Sequence, residues 1–135
     1  MSKSVLFVCP HNAAKSVIAV AYFRRLAAEA GLDLVADSAG TEPDEAVWPS
    51  VVELLHRDGV EVDGRRPRRL TADDLAGAEL VVAMGCALPA ELGRPRRAEA
   101  WDDLPLASVD LVAARDAVRR RVEDLVVRLQ QGGAR

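Results

Sequence analysis

The sequence predicts an α/β protein: a four-stranded parallel sheet, strand order 2-1-3-4, with helices on both faces. Short apolar runs alternate with longer helix-spaced stretches along the chain, the arrangement that builds parallel βαβ units. Two of these runs, SVLFVC at 4–9 and ELVVAM at 79–84, are apolar at almost every position, as expected of strands covered on both faces. The chain has 135 residues, half of them apolar, enough for one core and a single domain over 1–135. No repeat, low-complexity tract or linker divides it.

Residues 4–9 form the first strand. The alanine-rich stretch 15–30, KSVIAVAYFRRLAAEA, follows as a long helix, and Gly31 is its C-terminal cap. Residues 32–38, LDLVADS, read as the second strand, turned by Ala39-Gly40-Thr41. Pro49 opens a helix over 49–58 that Gly59 closes. DGRRPRRL at 63–70 reads as a polar, solvated loop, whose Arg65, Arg66, Arg68 and Arg69 would draw an anionic substrate or an acidic partner. Thr71-Ala-Asp-Asp74 has the form of a capping box that starts a short helix reaching about Gly77. The third strand, 79–84, ends at Gly85-Cys86, and RRAEAW at 96–101 is the fourth. From Ser108 to about Gln131 an amphipathic helix carries Leu111, Val118, Val122, Leu125, Val126 and Leu129 on one side. Its Arg119-Arg120-Arg121 run reads as the exposed face, His56 as a surface residue and Trp48 as a partly buried structural one.

Bulk properties exclude several classes. A net charge of −3 and an isoelectric point near 5.4 argue against non-specific nucleic-acid binding. Met1-Ser2-Lys3-Ser4 and the short apolar run behind it do not make a secretory signal. No apolar run approaches the roughly 18 residues of a membrane span. A soluble cytoplasmic protein without membrane partners is expected, and in that compartment Cys9 and Cys86 are expected to be free or catalytic thiols. No His/Cys/Asp cluster has zinc spacing, so neither a metal nor a bound cofactor is expected.

Ligands of parallel α/β sheets sit beyond the carboxyl ends of the strands. Cys9, the Ser38–Thr41 segment and Cys86 all fall on that edge. The stretch VLFVCPHNAAKS at 5–16 therefore carries the chemistry. As a nucleotide P-loop it fails, because Cys9 and Ala14 stand where glycines must let amides approach phosphate. As a nucleophile loop it is coherent. A thiol at a strand end, just before a helix N-terminus, is ringed by amides that favour the thiolate and bind a tetrahedral oxyanion such as phosphate, arsenate or sulfate. The oxyanion-binding segment is then Pro10, His11, Asn12, Ala13, Ala14 and Lys15. Ser16 can donate to the thiolate, and Asn12 tolerates a left-handed turn and can brace the loop from inside. The other reading of Cys9, a small buried core residue, stays open on the residues alone.

VLFVCPHNAAKS, SAGT at 38–41 and VVAMGC at 81–86 together resemble the low-molecular-weight protein tyrosine phosphatase and arsenate reductase family, in the right order over nearly the whole chain. His11-Asn12 is similar to the arsenate reductase branch. The resemblance implies Cys9 as nucleophile, Lys15 as oxyanion clamp and Ser16 as thiolate stabiliser. Cys86 falls close to the cysteine that, in thioredoxin-type reductases, attacks the first one. Three departures shape the expectation. Lys15 stands where the family has arginine, keeping the charge without the planar fork, which predicts a loss on the order of 10²–10³ in rate. The family's late Asp-Pro pair is missing: WDDLPLAS puts Leu106-Ala107 there, with Asp103 or its neighbour Asp102 as the substitute acid. The last relay cysteine is absent from ALPAELGRP at 87–95, so a disulfide relay stops at Cys9–Cys86 and needs an external thiol or a thioredoxin-like reductant.

The expected function is a weak arsenate reductase-like enzyme. The alternatives are a low-activity protein tyrosine phosphatase and a catalytically silent module that binds an anion or a phosphoprotein.

Overall fold

Alternation along the first strand decides the layering. In β1 (Lys3–Cys9) Val5, Phe7 and Cys9 enter one hydrophobic cluster, while Leu6 and Val8 enter another on the opposite face. A computed structural model describes this chain at residues 3–60, 62 and 64–133. β1 is central. It pairs with β2 (Leu34–Gly40) from Lys3 opposite Leu34 to Cys9 opposite Gly40, and with β3 (Leu80–Ala83) from Val5 opposite Leu80 to Val8 opposite Ala83. β4 (Ala98–Ala100) completes the sheet beyond β3. All pairings are parallel and the order is β2-β1-β3-β4, as the sequence predicts.

The larger layer contains α1 (Lys15–Glu29), α2 (Pro49–Arg57) and α4 (Leu111–Gly133). Phe7 is its centre, with ring centroids 5.7 Å from Phe23 and 5.9 Å from Trp101. Val118, Val122 and Leu125 of α4 are fully buried there, the apolar side read from the sequence. Burying each such side chain stabilises the fold by about 1.5–3 kcal/mol. The smaller layer joins Leu6, Val8 and Val81 to Leu75 of α3 (Ala72–Gly77) and to Leu70 and Ala78. The capping box is formed: Asp74 N–H donates to Thr71 Oγ1 at 3.1 Å, and Thr71 N–H donates to Asp74 Oδ2 at 2.8 Å.

Several boundaries differ from the sequence reading, the third strand's by a residue at each end. The second strand starts at Leu34, not residue 32, because the helix cap is still closing there: Gly31 takes φ +70° and Leu32 N–H donates to Ala27 O at 2.9 Å. It then runs through Ala39 and Gly40, the expected turn residues, because these pair with Val8 and Cys9. The fourth strand shrinks to three residues, since only Val81–Ala83 offer it a partner edge. The last helix begins at Leu111, not Ser108, because Asp110 caps it, its Oδ1 accepting from Ala113 N–H at 3.0 Å.

His56 is exposed, and Trp48 is half-buried with its indole N–H donating to Asp44 Oδ2 at 3.1 Å. Arg119 and Arg120 are exposed, whereas the half-buried Arg121 lies over the Trp101 ring. Among the described residues no helix is long and apolar enough to cross a membrane.

Candidate active site around Cys9

The loop between β1 and α1 is held open by the way its carbonyls are used. Pro10, His11 and Ala13 turn their C=O groups outward, accepting from the N–H groups of Glu42 (2.7 Å), Asp44 (2.9 Å) and Trp48 (3.2 Å). Among the described residues, the amides of 11–14 donate to no protein acceptor. Ala14 leads into α1 without a side-chain cap, so the first-turn amides of that helix are also unengaged. Unpaired N–H groups at a helix N-terminus form a cradle for an anion. Gly40 is the wall that permits it: a β-carbon there would stand 2.7 Å from Pro10 O and 3.0 Å from Asn12 Cβ.

Beneath the loop lies a buried polar network. Cys9, Asn12, Ser16 and Ser38 are each at most 3% exposed. Cys9 Sγ and Ser16 Oγ are 3.0 Å apart. Asn12 takes φ +50°, the left-handed conformation the sequence suggested, and its amide nitrogen donates to Ser16 Oγ and Ser38 Oγ, both at 2.8 Å. Because Ser16 Oγ accepts from Asn12, its own proton is free to go to Cys9, which suits a thiolate acceptor.

Lys15, half-buried, reaches across to the third strand. Its ammonium lies 3.3 Å from where a β-carbon on Gly85 would stand, and it makes no hydrogen bond or ion pair among the described residues. Cys86, also half-buried, comes to the same place. Met84 N–H donates to Val8 O at 2.7 Å, and Cys86 Sγ approaches that same carbonyl at 3.8 Å, so the second thiol lies beside the peptide that leads into Cys9. Burial, and then the charge of Cys9, push the Cys86 thiol up to about 11, with Lys15 working in the opposite direction. Both cysteines are free.

The remaining residues of the sequence reading separate. His11 turns outward, its Nδ1 3.2 Å from Glu42 O and 3.3 Å from Asp44 Oδ1. The Asp103 carboxylate is engaged by Arg121 of α4, whereas the Asp102 charge is felt at Cys86. The loop expected to be solvated is partly structural. Arg65 Nη1 donates to Asp37 Oδ1 at 2.7 Å, and Arg68 donates from Nη1 to Asp74 Oδ2 at 2.9 Å and from Nη2 to Asp37 Oδ2 at 3.0 Å. Arg66 and Arg69 remain exposed. Asp37 carried no signal in the sequence, where it looks like the polar residue of an alternating strand. Burial alone would favour its neutral form, but the Arg65 and Arg68 contacts prevail and hold its carboxyl below the ordinary range.

With this geometry in place, three relatives are informative. A Halobacterium salinarum protein named "Putative arsenate reductase" is 32% identical over 125 residues, which are 88% of this chain and 87% of that protein. The structure of YfkJ from Bacillus subtilis superposes with a TM-score of 0.85 at 25% identity, covering 98% of this chain and 97% of the other. The thioredoxin-dependent arsenate reductase Cg_ArsC1' of Corynebacterium glutamicum gives a TM-score of 0.79 at 27% identity over 97% of this chain, which spans 63% of that longer protein. Residues 4–98 match the family described as low molecular weight phosphotyrosine protein phosphatase, and the chain belongs to that family.

Proposed function

We propose that the protein is a cysteine-dependent arsenate reductase, with Cys9 as nucleophile and Cys86 as resolving thiol. The observation that carries this reading is the approach of Cys86 Sγ to Val8 O, which sets the second thiol against the nucleophile's own backbone. Arsenate binds in the amide cradle with Lys15 as counter-charge. The Cys9 thiolate attacks arsenic and one arsenate oxygen leaves as water, giving a Cys9–S–As bond. Cys86 then attacks Cys9 Sγ: the S–S bond forms, the S–As bond breaks, and its electron pair stays on arsenic, which departs as arsenite. The Cys86 proton passes to solvent. An external thiol or thioredoxin-like protein reduces the disulfide by exchange.

Adduct formation also helps the second step. It removes the negative charge of Cys9, one of the influences that keep Cys86 protonated, and leaves the opposing Lys15 charge in place. Reduction of arsenate requires no acid to protonate an alcohol leaving group. That suits a site in which the Asp103 carboxylate is engaged by Arg121. A second reading, hydrolysis of good phosphate esters, is supported by Asp102, whose charge is felt at the site.

The test is to treat the protein with arsenate under limiting reductant and map disulfides by mass spectrometry. A Cys9–Cys86 bond is expected, and Cys86→Ser should abolish arsenate turnover while sparing any phosphate-ester cleavage. If Cys86→Ser spares both, an external thiol attacks the Cys9 adduct directly and Cys86 has no resolving role.

A further inference from the structure

The Asn12 side chain has a direction, and that direction is set from outside the loop. Its Oδ1 accepts from Arg68 N–H at 3.0 Å. A backbone N–H can only donate, so it must face the oxygen of the amide, which turns the nitrogen toward Ser16 and Ser38. Ser16 Oγ then accepts a hydrogen bond from Asn12, and its own hydroxyl proton is left to donate toward Cys9 Sγ, 3.0 Å away. The peptide of Arg68 thus determines which way protons point in the network that ends at the nucleophile.

That peptide is fixed from two sides. Gly40 N–H donates to Arg68 O at 2.8 Å and Leu70 N–H donates to Gly40 O at 2.9 Å, a short parallel bridge at the last residue of β2. The Arg68 guanidinium spreads across Asp37 of β2 and Asp74 of α3. Asp37 Oδ1 in turn accepts from Ser38 N–H at 2.8 Å and from Arg65, whose Nη1 also reaches Ser38 Oγ at 3.4 Å. The two carboxylates therefore anchor both the peptide that orients Asn12 and the strand that carries Ser38.

We propose that Arg68, gripped by Asp37 and Asp74, is a positioning residue for the Cys9 nucleophile, acting through Asn12 and Ser16. Its guanidinium bonds to neither the cradle amides nor Cys9, and its effect is to keep Ser16 donating to the sulfur. This holds whether the site reduces arsenate or cleaves phosphate esters, because it concerns the nucleophile common to both.

The test measures Cys9 itself, independently of any turnover. In a Cys86→Ser background, the rate of Cys9 alkylation by iodoacetamide at neutral pH is compared for Arg68, Arg68→Ala and Arg68→Lys, with inorganic phosphate as protecting ligand. Arg68→Ala should slow alkylation about five- to tenfold, the worth of one ordinary hydrogen bond, and Arg68→Lys should restore part of it. The phosphate concentration giving half-protection should change much less, since the cradle amides stay in place. Circular dichroism and thermal melting establish that each variant is folded. Should Arg68→Ala not fold, Asp37→Asn, which keeps shape and removes one arm of the grip, serves instead with the same expected slowing. Folded variants that alkylate at the parent rate would overturn the proposal, as would parallel losses of alkylation and phosphate protection, which mark a collapsed loop.

Discussion

The Lys15 ammonium fills the space beside Gly85: a β-carbon at 85 would stand 3.3 Å from Nζ. A residue of the first loop and a residue after the third strand thus share one space, and Gly85 also takes φ +68°, where other residues are strained. Gly85→Ala should push the ammonium aside and cost about 1 kcal/mol of stability. The measurements are the phosphate concentration that protects Cys9 from alkylation, expected to rise, and the melting temperature, expected to fall. Unchanged protection would mean that Lys15 is not the anion's counter-charge.

Lys15→Arg supplies the planar fork that lysine lacks. Turnover should increase, with a smaller change in KM, because a bidentate donor matches the transition state better than the bound ground state. Lys15→Ala should lower turnover on the order of 10²–10³. Steady-state kinetics on both variants provide the check, and a fall in turnover with arginine would show a loop built around the smaller cation.

Phosphate-ester cleavage should depend steeply on the leaving group. Nitrophenyl phosphate should react slowly and alkyl phosphates not measurably if, as expected from the sequence, Leu106 stands where a general acid would be needed. Asp103→Asn should leave the rate unchanged, its carboxylate being engaged by Arg121. Efficient cleavage of phosphotyrosine peptides with a bell-shaped pH profile would sink this account, and loss of its basic limb in Asp102→Asn would identify the acid.

Alkaline pH should destabilise the fold through two groups. Cys86 is held at about 11 against an ordinary 9.0, by burial and then by Cys9, and Tyr22 at about 12 against 10.0, by burial and then by its bond to Asp58. In both, the folded state keeps a proton that the unfolded chain has released. Their contribution is complete below the unfolded value and is lost as pH rises through the folded one. Urea unfolding at a series of pH values should show stability falling from about pH 9 upward, with the lower part of the slope removed by Cys86→Ala and the upper part by Tyr22→Phe. In Cys9→Ser the Cys86 thiol should titrate lower, because one negative neighbour is gone.

Arg115 closes a cluster linking three segments: it donates to Asp58 Oδ2 at 2.7 Å, and Tyr22 O–H donates to the same oxygen. Burial opposes ionisation of Asp58, but these two donors override it and hold the carboxyl below its ordinary value. Arg115→Ala should cost about 1–3 kcal/mol by leaving a partly buried carboxylate short of a donor. Calorimetry should also show that the parent's advantage over this variant shrinks as pH falls through the Asp58 titration.

Elements with a strong local signal were legible in the sequence. The apolar runs around Phe7 and Val82, the caps at Gly31 and Gly59, and the capping box at Thr71 and Asp74 are recorded within a few neighbouring residues. The loop between β1 and α1 was legible for the same reason, since Cys9, Asn12 and Ser16, which the structure brings together, are close in the chain. The Asp37–Arg68–Asp74 grip was not, because it joins three segments and nothing local distinguishes Asp37 from a solvent-facing strand residue. The extent of β2 escaped for a related reason: Ala39 and Gly40 have turn composition, and only pairing with Val8 and Cys9 makes them strand. The side chain selected by Arg121, Asp103 and not Asp102, likewise depends on where α4 lies.

The central position of β1 has a consequence for the order in which the site comes into being. Cys9, the proposed nucleophile, is made before the segments that surround it: its strand needs β2 on one side and β3 on the other, and Asn12 waits for the peptide of Arg68. At typical synthesis speeds of about 5–20 residues per second, the interval between Cys9 and Cys86 leaving the ribosome is on the order of ten seconds. Through that time the first cysteine belongs to an unfinished sheet, without the neighbours that orient it. A nascent chain stalled before Arg68 should therefore carry Cys9 as an ordinary thiol, and the reactive form should emerge only as the third strand docks.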